Sequence, residues 1–219
     1  MSSGNFKQDV YAQLARVAKA VGHANRLELL EFVAQGPRSV DELAGMTHLS
    51  VANASKHLQE LRQVGLVRAR KEGVRVFYEL AGPDVVDLLA ALRTVAEARV
   101  AEVSQLLRTY ITARDDLEPI PADELMKRAK LGLVTVLDVR PAEEYGAGHL
   151  PGAINVTMDA LSGHLKRLPK GREVIAYCRG PYCLLSVDAV ALLREKGYQA
   201  RRLEDGFPEW KASGLPVEG

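Results

Sequence analysis

The 219-residue sequence predicts two domains: a mainly α domain carrying one β-hairpin, then an α/β domain built on a parallel sheet. Three observations lead there. Apolar residues in the first half recur at helical spacing, except over 66–80, where they alternate. The second half instead alternates short, β-branched apolar runs with helical patterns. Between the two, Arg114-Asp115-Asp116-Leu117-Glu118-Pro119-Ile120-Pro121 is acidic and then proline-punctuated, as a short linker is, which sets domains at 1–115 and 116–219.

Taken in order, Val10, Leu14, Val17, Ala18 and Val21 predict a helix over 9–21, and Arg26–Ala34 a second one ended by Gly36-Pro37. Ser39 with Glu42 three residues on has the form of a capping box opening a third. A fourth starts at Ser50, with Val51, Ala54, Leu58 and Leu61 on one stripe, and ends at Gly65. Leu66–Arg70 and Val74–Leu80 flank Lys71-Glu72-Gly73 as a hairpin. A long helix is expected from about Pro83 to Tyr110. In the second half, Val134–Val139 and Glu173–Tyr177 read as buried strands, and Ser186–Lys196 as a helix stopped by Gly197.

Composition narrows the function classes. With 47% hydrophobic and 26% charged residues the chain can bury a core. Two cysteines cannot staple a secreted mini-domain. The N-terminus lacks a basic segment followed by an apolar run, and no stretch approaches a membrane span, so a cytoplasmic protein with reduced thiols and no membrane partner is expected.

Two short helices joined by a tight turn and followed by a β-hairpin make a winged helix-turn-helix. The helix from Ser50 would enter the major groove, offering Ser50, Asn53, Ser55, Lys56 and His57 to bases and phosphates. The overall net charge is only +1, yet residues 56–75 hold six basic side chains against two acidic ones. Arg70, Lys71 and Arg75 at the wing tip can reach the backbone phosphates. Double-stranded DNA is therefore the expected partner.

Leu14–Leu30, Leu49–Leu58 with its serine, basic residue, His and Leu, and Gly65-Leu66-Val67 with the hairpin resemble ArsR-type regulators over about residues 7–105. The resemblance implies a homodimer, built on the first and last helices, that represses transcription from an inverted-repeat operator. That family's familiar metal sites use cysteines before the turn, or Asp and His on the last helix. Here no cysteine precedes position 178 and Pro83–Tyr110 has no His. No metal and no cofactor is expected, and the signal must enter elsewhere.

The strand Glu173–Tyr177 runs directly into Cys178-Arg179-Gly180-Pro181-Tyr182-Cys183 and then a helix. Ligands bind beyond strand carboxyl ends in such sheets. A loop entering a helix points N–H groups at an anion, and Arg179 adds charge, so the loop Arg179, Gly180, Pro181 and Tyr182 favours a thiolate or persulfide at Cys178.

Leu137–Pro141, Glu143-Glu144-Tyr145, Gly148–Asn155, the Cys178 loop, Gly206–Trp210 and Gly214–Val217 resemble rhodanese (sulfurtransferase-like) domains over nearly all of 118–219. The resemblance places Cys178 at the sulfur-accepting, catalytic position and makes Asp138, Arg140, Glu144 and His149 framework residues. Two departures stand out from the usual Cys-Arg-x-Gly-x-Arg-Ser loop: Pro181 replaces the second Gly, and Cys183-Leu184 replace Arg-Ser. Position 184 also lacks the arginine that a related phosphatase or arsenate reductase needs.

The arginine is replaced by a second thiol, so Cys183 is read as a resolving partner that attacks a persulfide on Cys178 to form a disulfide or polysulfide bridge. Joined to the first half, this gives a repressor that senses polysulfide or a persulfide donor. Two other readings stay open: a sulfurtransferase enzyme using Cys178, and a repressor responding to a thiophilic metal or metalloid.

Overall fold

The computed structural model describes residues 3–115, 117–169 and 171–219. The chain divides into two compact units, Met1–Val85 and Val86–Gly219.

The first unit begins with α1 (Ser3–Val21), earlier than residue 9 because Phe6 extends the i, i+4 row of Val10 and Leu14. It continues with α2 (Ala24–Ala34), β1 (Arg38–Ser39), α3 (Val40–Met46), α4 (Val51–Gln63), β2 (Val67–Glu72) and β3 (Arg75–Leu80). The capping box is present: Glu42 N donates to Ser39 Oγ at 3.3 Å, and Ser39 N donates to the Glu42 carboxylate at 2.7 Å. Between α3 and α4 the backbone turns at His48, a non-glycine with φ of 54°. The hairpin pairs Arg70 with Phe77 and Glu72 with Arg75, and Gly73, at φ 58°, supplies the left-handed turn conformation. Strand β1 joins the far edge of β3, a pairing too short to show in the sequence. Leu29, Leu30, Leu43, Leu58 and Leu61 fill the core between the helices. Buried Arg26 ties three helices together, donating to the carbonyls of Lys19, at 2.9 Å, and Ala20, and pairing with Glu60.

The expected long helix is interrupted. Helix α5 (Asp84–Arg99) stops at Val100, whose backbone is extended, before α6 (Ala101–Leu107) and a π-helical turn at Arg108–Thr112. No proline or glycine breaks it. Instead the Ser104 hydroxyl takes the Glu97 carbonyl at 3.0 Å, one of the acceptors a helix end leaves open. Asp115 is buried, with Arg202 at 2.6 Å and Arg194 at 2.8 Å. Asp116, beside the expected boundary, lies outside the described residues.

The rest of the second unit is α7 (Ala122–Lys130), β4 (Val134–Asp138), α8 (Ala142–Gly146), β5 (Ile154–Asn155), α9 (Met158–His164), β6 (Glu173–Tyr177), α10 (Leu184–Glu195), β7 (Ala200–Arg202) and α11 (Phe207–Ala212). The four strands form a parallel sheet in the order β5-β4-β6-β7. Side chains alternate along β6 as strand geometry requires. Val174 and Ala176 face a core shared with Val190 and Leu193 of α10, and Cys178 continues that side. Ile175 and Tyr177 face a second core with Leu125, Phe207 and Trp210. The sheet therefore delivers Cys178 to the root of α10.

Candidate functional sites

On the first unit, Ser50 caps α4, its hydroxyl accepting from Asn53 N at 3.3 Å. Asn53 and Lys56 are exposed, and Ser55 accepts from Gln59 at 3.3 Å. His57 is half-buried and packs on His23, with ring centroids 4.6 Å apart and Nδ1 without a partner among the described residues. Burial first, then the neighbouring His23 and Arg26, holds its imidazole below the usual histidine range. Lys71 and Arg75 are exposed on the wing, and exposed Arg70 pairs with Glu72. Exposed Lys56, Arg70, Lys71 and Arg75 thus lie on α4 and the wing.

On the second unit, Cys178 is 2% exposed and bonded to Cys183, with their Cα atoms 6.2 Å apart. The loop between them is closed by a turn in which Cys183 N donates to Gly180 O at 3.1 Å. Its far end is held by Ser186 Oγ, which donates to Cys183 O at 3.1 Å. On the near side, Phe207 N donates to Cys178 O at 3.1 Å. Gly206 lies so close to the Arg179 carbonyl that a Cβ there has no room.

Arg179 does not lean over the sulfurs. Its guanidinium forks onto Glu144, Nε at 2.9 and 3.0 Å and Nη2 at 2.7 Å from the carboxylate oxygens, and Glu144 is fully buried. A second buried fork joins Arg140 to Asp138, with Nη2 2.7 Å from Oδ2 and 2.8 Å from the Gly148 carbonyl. Tyr177 donates its hydroxyl to the same Asp138 and accepts from Leu150 N at 3.1 Å. Burial holds that phenol far above its usual range, so it stays a donor. His149 stacks on Tyr145 at 3.7 Å and contacts the Tyr145 carbonyl through Nδ1 at 3.0 Å. These pairs tie the loop and the strand ends beside it to α8 and to the Gly148–Leu150 segment.

Two family likenesses coincide with the two halves. Residues 23–69 match the bacterial regulatory proteins of the arsR family, and residues 121–213 match the rhodanese-like domain. The HTH-type transcriptional regulator Rv0324 of Mycobacterium tuberculosis is 43% identical over 206 residues, spanning 94% of this chain and 90% of its own length. The chain is an ArsR-family transcriptional regulator carrying a rhodanese-like domain. A sulfurtransferase of Allochromatium vinosum is 32% identical to this regulator over 85 residues, 38% of this chain and 78% of that one. The homodimeric winged helix-turn-helix DNA-binding domain (fragment 1–100) Mb0332 of Mycobacterium bovis, solved by NMR, is 40% identical. It covers 46% of this chain and 91% of that one, with a TM-score of 0.42.

The ArsR-family regulator also joins this loop and α11 to Glu97 and Arg93, residues that sequence reading did not single out. Tyr182 donates to Glu97 on α5 at 2.6 Å, and Arg93 donates to Glu209 on α11 at 2.6 Å. Partial desolvation, then the neighbouring Glu209 and Glu204, raises the carboxyl of Asp205 above the usual range. No local pattern marks Arg93 or Glu97, because their partners are distant in the chain. Among the described residues no group of three or more His, Cys, Asp or Glu is placed to hold a metal. No described helix is long and apolar enough to cross a membrane.

Proposed function

We propose that this regulator is a cytoplasmic, homodimeric repressor that binds an inverted-repeat operator and senses reactive sulfur species at Cys178 and Cys183. The observation that carries the reading is the pairing of those thiols in one loop at the carboxyl end of β6. A persulfide donor passes its outer sulfur to the Cys178 thiolate and leaves as a thiolate, and a polysulfide does the same and leaves one sulfur shorter. The Cys183 thiol then attacks the Cys178 sulfur, closes the disulfide and expels sulfide. Sensing is favoured over turnover, because the Arg179 charge is matched by Glu144 and the loop's second arginine is replaced by Cys183.

On the DNA side, α4 enters the major groove through Asn53, Ser55 and Lys56, while Lys71 and Arg75 of the wing meet phosphates. Dimerisation uses the apolar rows that each unit leaves exposed, Phe6, Tyr11 and Leu14 on α1 and Leu88, Leu92 and Val95 on α5. The test is operator binding by full-length protein before and after treatment with inorganic polysulfide. Affinity changes at least tenfold in the wild type, about 1.4 kcal/mol, and not in Cys178→Ser. A Cys178→Ser protein that responds like the wild type sinks the reading.

A further inference from the structure

We propose that the hydrogen bond from Tyr182 to Glu97 is the contact through which helix α5 reads whether Cys178 and Cys183 are bonded. It deepens the sensing function above and rests on that reading of the two thiols. Tyr182 stands next to Cys183 in the loop and donates to Glu97 Oε1 at 2.6 Å. Although Tyr182 is 40% exposed, partial desolvation and then the Glu97 carboxylate raise its phenol above the usual range. Four residues earlier on the same face of α5, Arg93 donates to Glu209 Oε1 at 2.6 Å. Glu209 Oε2 in turn accepts from Gly206 N at 3.2 Å, and Gly206 abuts the Arg179 carbonyl. One face of α5 is thus pinned at a fixed point through Arg93 and at a loop point through Tyr182.

The two points respond differently to the bond. Bonded sulfurs lie about 2.05 Å apart, whereas non-bonded heavy atoms approach to about 3.5 Å, so opening the bond separates the sulfurs by roughly 1.5 Å. Cys178 is 2% exposed within the core while Cys183 is only partly buried at its edge, so the shift falls more on Cys183 and its neighbour Tyr182. A displacement of that size breaks a hydrogen bond. The Arg93 anchor ends on Glu209 of α11, outside the Cys178–Cys183 loop. Helix α5 is continuous with the first unit, which ends at its Val85, so the loop addresses the helix itself.

The test uses full-length protein and a DNA duplex selected by the reduced wild type from a random pool. Diamide closes the Cys178–Cys183 bond by taking up the two thiol hydrogens, whatever the natural donor. We expect reduced Glu97→Ala to bind the duplex as the wild type does and to form the disulfide completely by peptide mass. Closing the bond should shift DNA affinity at least tenfold in the wild type and less than twofold in Glu97→Ala. Glu97→Gln, which keeps an acceptor oxygen, should retain most of the shift, and Tyr182→Phe should lose it. A Glu97→Ala shift equal to the wild type's, or a wild type unaffected by the closed bond, overturns the contact's role. A response to diamide but none to polysulfide overturns only the sulfur reading and leaves the contact supported.

Discussion

Cys178 is buried, and the charged side chains around its loop pair with one another. Glu144 is fully buried and its carboxylate is satisfied by Arg179, whose side chain is 17% exposed. Removing the guanidinium strands a buried carboxylate. Arg179→Ala should therefore cost about 2–3 kcal/mol in urea unfolding, below the ~3–5 kcal/mol of a wholly buried pair, because Arg179 reaches solvent. Gly206→Ala meets the Arg179 carbonyl instead of empty space. Overpacking there should cost about 1–3 kcal/mol, and at about 2–4 °C per kcal/mol the melting temperature should drop measurably. Cys178 and the framework residues were readable because they stand in a contiguous motif. Gly206 was readable as part of a motif, yet its reason was not, since the atom it avoids belongs to another loop.

At the level of elements, what depends on near neighbours in the chain was legible and what depends on distant ones was not. The Ser39 capping box, the Ser50 cap and the hairpin all rest on interactions within a few residues. Strands β5 and β7 have two and three residues, too few to display a period, and exist because β4 and β6 offer edges to pair with. The stop at Val100 likewise follows from a Ser104 hydroxyl that no propensity announces. Ser39→Ala should remove about 1 kcal/mol from the first unit, seen as a lower urea midpoint with an unchanged slope. Helix α4 carries a pH dependence through His57, whose folded-state pKa is lowered. The neutral ring's contribution is full above the unfolded value of about 6.5 and is lost as pH falls below it. The urea midpoint should drop between about pH 7.5 and 5.5, a window that brackets that value, and His57→Gln should flatten that drop.

Across the whole molecule, near-neutral charge hides a polarised distribution. The +4 over residues 56–75 is offset elsewhere, so DNA affinity should fall steeply with salt although the net charge is +1. Replacing both Lys71 and Arg75 by Ala should shallow the log–log salt slope by about 0.9 for each phosphate no longer neutralised. Binding titrations from about 50 to 200 mM salt measure that slope.

The burial of Asp115 bears on how such a chain can be cut and rejoined. A fragment starting at 116 would abandon Arg194 and Arg202 beside the sheet without their carboxylate, and would forfeit Glu97 and Arg93 as well. A graft of this rhodanese-like half onto a foreign DNA reader should therefore carry everything from Val86 onward. Joined there, the chimera inherits the helix with the α/β fold; joined at the proline-rich segment, it receives a destabilised domain without the Glu97 and Arg93 contacts.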